Sequence, residues 1–158
     1  MTKKPDIKTR KKLRYAMCAL YLLEIVICTM PFVHYFKPDG SIISASPFFM
    51  ITMLFGVISG LDATVVTMCV LCILMVVLPT IGFFFSALDK ERNIKNLVSI
   101  LCCLASVFII LNIPGSYMSI GAVLAILLYV VIMFLTSIAM VMRLSKDEEE
   151  SRKKDLKE

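Results

Sequence analysis

Residues 63–88 read ATVVTMCVLCILMVVLPTIGFFFSAL, a run of 26 residues without a charged side chain. A helix rises about 1.5 Å per residue, so about 20 apolar residues are enough to cross a hydrocarbon layer roughly 30 Å thick. The run therefore predicts a membrane-spanning helix, and with it an integral membrane protein.

The composition of the whole chain agrees with this class. Apolar residues make up 59% of the sequence and charged residues 18%, whereas soluble domains average roughly 45–50% and 25%. The 17 basic residues are also segregated: apart from Lys37, they fall in three groups, within residues 1–14, 89–96 and 143–158. Between these groups lie long stretches that carry almost no charge.

Four apolar runs reach or approach the length of a span. In chain order they are residues 14–34, 63–88, 97–113 and 117–142. We predict that all are helical, because a segment in lipid must satisfy its own backbone and the chain lacks the repeated alternating segments of a barrel. The predicted fold is an all-α membrane protein, with a basic arm (1–13), one four-helix transmembrane domain (14–142) and a charged tail (143–158).

The basic groups also predict the orientation of the chain. Lys and Arg concentrate on the cytoplasmic side of membrane helices, and the three groups fall on one side of a four-span chain. Both ends are therefore expected in the cytoplasm. The first apolar run exceeds the 7–15 residues of the apolar region of a signal peptide, which predicts an uncleaved anchor. Compactness and residue usage suggest a multi-pass protein of a plasma membrane, namely a bacterial inner membrane.

The outer segment, residues 35–62, contains a shorter apolar stretch at 47–61. Its 15 residues suit an interfacial or re-entrant helix better than a span. An alternative is that the second span already begins near Phe49, strongly tilted. The turn sequence Pro38-Asp39-Gly40 leaves room for a short hairpin before this stretch.

The two cysteines of the opening run, Cys69 and Cys72, form a C-x-x-C. The string C-V-L-C resembles that of the DsbB family, four-helix membrane enzymes that pass electrons from thiols to quinone. The resemblance implies a redox pair, and that family also needs a second cysteine pair in an outer loop. The outer segments 35–62 and 114–117 contain no cysteine. Because an apolar environment also disfavours the reactive thiolate, we interpret these cysteines as structural, with redox chemistry as the alternative.

Glu24 lies near the middle of the first predicted span. A carboxyl group at that depth is costly and needs a partner, and Ser106 and Tyr129 fall near the same level in the third and fourth spans. We expect a neutral, hydrogen-bonded Glu24 in a structural site with these two residues. Binding of a proton or cation, or pairing with a basic residue of another subunit, are the alternatives.

A glutamate in the first of four helices also resembles the small multidrug resistance transporters. That resemblance implies a proton-coupled transporter that works as an oligomer around Glu24. The chain departs from the family in its long outer segment, its cytoplasmic tail and its lack of Trp.

The leading functional hypothesis is a non-enzymatic accessory, scaffold or regulatory subunit. The sequence offers no catalytic set, metal cluster or cofactor motif, and it lacks the aromatic platforms of a nucleic-acid-binding domain. The expected partners are the lipid bilayer, anionic lipid at the basic arm, and a membrane protein or a second copy of the chain. A proton-coupled transporter around Glu24 and a thiol oxidoreductase using Cys69 and Cys72 are the alternatives.

Overall fold

The computed structural model describes residues 7–36, 40–56, 63–88, 93–113 and 117–155, and most of these residues are helical. The helices are α1 (Ile7–Ile27), α2 (Pro47–Gly56), α3 (Ala63–Ala87), α4 (Asn93–Leu111) and α5 (Ile120–Asp155). Three short strands, β1 (Val33–Phe36), β2 (Ile42–Ala45) and β3 (Tyr117–Met118), form one antiparallel sheet in the order β2-β1-β3.

Three of the helices are long and apolar enough to cross a membrane. The stretches concerned are Val70–Ala87 in α3, Ile94–Leu111 in α4 and Ile120–Leu144 in α5. The protein is therefore mostly helical and has the composition of a membrane protein. The bounds of α3 agree with the predicted span at 63–88 to within one residue, and α4 begins four residues before the predicted span at 97–113.

The first predicted span, residues 14–34, is only partly helical. α1 ends at Ile27, and a turn leads to Pro31 and then to β1 at Val33. Proline has no backbone N–H and disfavours the helical conformation of the residue before it, so Pro31 favours an end of α1 before it. The expectation of an unbroken helix to His34 is wrong.

The short hairpin that the sequence of the outer segment allowed is present. β1 pairs with β2 from Val33 opposite Ala45 to Phe36 opposite Ile42. Gly40, in the connection, has a φ of 81°, a left-handed conformation that glycine adopts without strain. The other predicted turn residues, 38 and 39, lie outside the described part of the chain.

β3 pairs with the opposite edge of β1, through Val33 with Met118 and His34 with Tyr117. Residues 117–118 were expected to begin the fourth helical span, and this expectation is wrong because they complete the sheet. The helix starts at Ile120 instead and runs without interruption to Asp155. It therefore includes most of the segment that was predicted only as a charged tail.

α2 covers the first ten residues of the stretch predicted as an outer helix. Its start follows a standard pattern, because the Ser46 hydroxyl accepts a hydrogen bond from the Phe49 backbone N–H (3.1 Å) and Pro47 occupies the first helical turn. Residues 57–62 lie outside the described part of the chain. Whether the second span begins near Phe49 therefore stays a prediction.

The four longer helices pack side by side. α3 contacts α1 and α4, and α5 also contacts α1 and α4, so the four surround a common core. Buried aromatic, aliphatic and small side chains fill this core, among them Tyr21, Met75 and Ile132. Large apolar side chains are exposed on the outside of all four helices, for example Leu22, Leu101 and Phe134. A surface of this kind suits contact with lipid tails.

Candidate functional site

The inward face of α1 carries two polar side chains, Tyr21 and Glu24, and both are fully buried. Their spacing of three residues places them on the same side of the helix, about one turn apart. Leu22, Leu23 and Val26, which lie on the opposite side, are exposed. The sequence of α1 therefore directs its polar groups into the core and its aliphatic groups outward.

Tyr21 connects α1 to α4 and α5 through a layer of hydroxyl groups. The Tyr21 hydroxyl is hydrogen-bonded to Ser99 Oγ at 2.5 Å, and Ser99 Oγ lies 3.3 Å from Thr136 Oγ1. Thr136 also donates to the Ile132 carbonyl of its own helix at 2.7 Å. Each of these buried hydroxyls has a partner, so the layer stabilises the packing of three helices.

Gly82 on α3 makes room for this layer. A Cβ atom at position 82 would collide with the aromatic ring and the hydroxyl of Tyr21. The glycine, an unfavourable residue inside a helix, thus serves a packing role here. The Tyr21 hydroxyl also lies 3.4 Å from Cys103 Sγ.

A second polar group lies about one turn further along α1, around Glu24. Glu24, Ser106 and Tyr129 are respectively 0%, 1% and 2% exposed. The Tyr129 hydroxyl interacts with both Glu24 and Ser106. The structure therefore brings together the three residues that depth along the helices had selected, and we call them the Glu24 site.

The Glu24 site differs from the Tyr21 layer because its hydrogen bonds are incomplete. Neither carboxyl oxygen of Glu24 has a hydrogen-bond partner among the described residues, and the same is true of Ser106 Oγ. Tyr129 is near enough to interact with both residues, but no pair reaches ordinary hydrogen-bonding geometry. The sequence predicted hydrogen bonds to the Glu24 carboxyl group, and the described residues do not form them.

The surroundings of Glu24 are electrically neutral groups. Among the described residues, the ionisable side chains that interact electrostatically with Glu24 are those of Tyr129, Cys28 and Cys103. No basic side chain in the described ranges pairs with Glu24. Glu24 faces the core of its own chain and is fully buried there.

The described cysteines of the core are free thiols. Cys28 Sγ lies 3.7 Å from the Met75 carbonyl, and Cys103 contacts Tyr21. Cys72 is buried on α3, whereas the side chain of Cys69 lies outside the described part of the chain, so the geometry of this pair stays a prediction. The described residues contain no group of three metal-ligating side chains.

Sequence reasoning missed Ser99, Thr136 and Gly82, although a signal for the first two was present. Ser99 precedes Ser106 by seven residues on α4, and Thr136 follows Tyr129 by seven residues on α5. Seven residues are nearly two helical turns, so each pair lies on one face. This spacing indicates two polar layers where the depth argument alone had found one.

No protein-family model, curated protein or solved structure matches this chain.

Proposed function

We propose that the protein crosses a plasma membrane four times, through α1 with the turn that follows it, α3, α4 and α5, with both ends in the cytoplasm. The contacts between α1 and α5 support the first crossing. Thr136 Oγ1 lies 3.6 Å from Met17 Sδ, and Gly121 lies against the Pro31 carbonyl. Thr136 follows Gly121 by 15 positions in the helix, which corresponds to a rise of about 22 Å. The segment from Met17 to Pro31 therefore lies alongside this part of α5 over the same height, which supports its assignment as a span.

The distribution of basic residues supports the orientation. Residues 1–14, 89–96 and 143–158 together hold all but one of the Lys and Arg residues. In the proposed topology these segments share the cytoplasmic side, as the positive-inside rule requires. The sheet and α2 then lie on the outer side.

Within this topology, we propose that the protein acts as a non-enzymatic accessory subunit that binds a membrane protein partner. The observation that carries the proposal is the length of α5, which continues to Asp155. The 13 residues beyond Met142 would extend about 20 Å into the cytoplasm. Their sequence has four acidic residues, 147–150, and three basic residues, 152–154. A rigid helix that carries both charges beyond the bilayer is suited to hold a partner in a fixed orientation.

The test is to interrupt this helix without changing its charge. Ser145→Pro removes a backbone hydrogen bond and introduces a clash with the preceding turn, whereas Ser145→Ala preserves the helix and serves as the matched control. Both full-length variants would be extracted from native membranes in mild detergent, and the co-purifying integral proteins quantified. We expect the alanine variant to retain a stoichiometric partner and the proline variant to lose it. An equal yield of the same partner with both variants would contradict the proposal.

A proton- or cation-coupled transporter is the second candidate function. The incomplete hydrogen bonding of the buried Glu24 carboxyl favours it. Because the carboxyl faces the core of a single chain, the site we propose for transport lies within one copy rather than between copies. Reconstitution of the purified protein into vesicles tests this candidate. A transporter should produce an ion flux that Glu24→Gln abolishes. The absence of flux in vesicles that contain the wild-type protein would exclude it.

The alternative of a thiol oxidoreductase has less support. Cys72 is buried in the helical core, where an apolar environment disfavours the thiolate that exchange requires. We therefore retain the structural interpretation of Cys69 and Cys72.

A further inference from the structure

Three buried oxygen atoms of the Glu24 site lack hydrogen-bond partners among the described residues. They are the two carboxyl oxygens of Glu24 and Ser106 Oγ. The side chains that carry them are almost wholly buried and come from two helices, α1 and α4. The Tyr129 hydroxyl, from α5, interacts with both residues and adds a fourth oxygen. Buried polar groups in proteins are normally satisfied, so the cluster points to a ligand.

We propose that Glu24, Ser106 and Tyr129 form a binding site for one small monovalent cation such as Na⁺, which exchanges with a proton on Glu24. The site is independent of the accessory function, because it lies in the core rather than on the cytoplasmic helix.

The charge of the site selects a monovalent ligand. Glu24 contributes one negative charge when ionised, and its neighbours Ser106, Tyr129, Cys28 and Cys103 are neutral in their ordinary states. One monovalent cation makes the site neutral overall, whereas a divalent cation would leave a net positive charge in an apolar core. An uncompensated buried charge of either sign is strongly unfavourable.

The donor atoms select a hard cation. Carboxylate and hydroxyl oxygens suit hard ions, whereas thiolates suit soft metals such as zinc or copper. The two nearby thiols are directed elsewhere, Cys28 toward the Met75 carbonyl and Cys103 toward the Tyr21 hydroxyl. A proton binds to one oxygen of Glu24, whereas a metal cation can be shared between the carboxylate and neighbouring hydroxyl oxygens.

The exchange reaction conserves charge. The protonated Glu24 carboxyl releases H⁺ and the carboxylate then holds Na⁺, so one positive charge replaces another. The ionisable groups that face Glu24 are Cys28 on its own helix, Cys103 on α4 and Tyr129 on α5; from α3, the described neighbour of Cys28 is the Met75 carbonyl. Since cation binding displaces a proton, the apparent affinity for Na⁺ falls as the pH is lowered.

Labelling with dicyclohexylcarbodiimide tests the proposal directly. This apolar reagent reacts with protonated carboxyl groups, and intact-mass spectrometry with peptide mapping counts the adducts at Glu24. The full-length protein would be tested in detergent with NaCl or with choline chloride. We expect Glu24 to be labelled in choline, to be protected by Na⁺, and to need about tenfold more Na⁺ for each unit decrease in pH, as one-to-one exchange requires.

Two results would overturn the proposal. Labelling of Glu24 that does not respond to Na⁺ would show a site that binds protons only. Failure to label the wild-type protein in choline would show that no exchangeable proton is present. Glu24→Gln provides the unlabelled reference.

Ser106→Ala tests whether the three residues act as one site. Removal of this hydroxyl should weaken protection by Na⁺ at least severalfold while Glu24 remains reactive. Ser137→Ala is the matched control, because Ser137 is an exposed serine of α5 whose hydroxyl bonds to the Met133 carbonyl of its own helix. Equal protection in Ser106→Ala, Ser137→Ala and the wild type would contradict a role for Ser106 as a ligand.

Discussion

At the scale of single residues, Tyr21 and Gly82 depend on each other. A glycine-to-alanine change within a helix normally stabilises by about 0.5–1 kcal/mol. At position 82 the new methyl group would collide with the Tyr21 ring, and overpacking costs about 1–3 kcal/mol. We expect Gly82→Ala to lower the free energy of unfolding by about 1–2 kcal/mol, measured by denaturation in detergent. In a Tyr21→Ala background the same change should lose its penalty, and an unchanged penalty there would contradict the assigned clash.

The Tyr21 hydroxyl should make a modest contribution to stability. Tyr21→Phe removes the bond to Ser99 Oγ, but Ser99 still has Thr136 as a partner, so no buried hydroxyl is left unpaired. We expect a loss of about 1 kcal/mol. Tyr15→Phe is the matched control because Tyr15 is 64% exposed, and its unfolding should match the wild type. Equal stability of the two variants would argue against the hydroxyl layer.

The cysteines give a prediction that separates structure from redox chemistry. Replacing both Cys69 and Cys72 by alanine should leave expression and any cellular phenotype nearly unchanged, because alanine is also small and compatible with an apolar helix. Growth and the thiol oxidation state of extracted membranes are the measurements. A clear loss of thiol oxidation in the double variant would restore the oxidoreductase hypothesis.

At the scale of secondary-structure elements, the hairpin depends on Gly40. Its φ of 81° is unfavourable for residues with a Cβ by about 1–2 kcal/mol, and no atom lies within 4 Å of the position that a Cβ would take. Gly40→Ala should therefore destabilise through the backbone alone, detected as a lower unfolding temperature in detergent. Gly40→Asn should be milder, since Asn tolerates this conformation. Equal unfolding temperatures for Gly40→Ala and the wild type would contradict this.

The bounds of the helices could be predicted from the sequence only in part. α3 and α4 were located to within a few residues, because a long apolar run without prolines near its ends has one stable form in lipid. The end of α1 was missed because residues 31–36 are apolar and aromatic, a composition that suits a span as well as a strand. Pairing of β1 with β3 joins residues more than 80 positions apart, and no local pattern specifies such a contact.

The candidate site was also predictable only in part. Depth along each helix selected Glu24, Ser106 and Tyr129, because helical rise is uniform and converts position into height. The rotation of each helix and the close approach of Gly82 to Tyr21 depend on how four helices pack together. The sequence could therefore predict the level of the polar groups but not whether their hydrogen bonds would close.

At the scale of the whole molecule, the arrangement has one polar axis inside and apolar side chains outside. The buried hydroxyls of the Tyr21 layer and the Glu24 site lie along the interior of the packed helices, while residues such as Leu101 and Phe134 face outward. The proposed accessory function and the proposed cation site then belong to different parts of the molecule, the C-terminal part of α5 and the core. An experiment that contradicts one of these two proposals therefore leaves the other unaffected.

The central claim is the four-span topology, and labelling of single introduced cysteines tests it most directly. Probes would be placed by Asp39→Cys, Gly115→Cys, Asn93→Cys and Ser151→Cys, and intact cells treated with a membrane-impermeant maleimide, with the wild-type chain as background. We predict that positions 39 and 115 react in intact cells, and that 93 and 151 react only after permeabilisation. Labelling of position 93 from outside intact cells would contradict the topology.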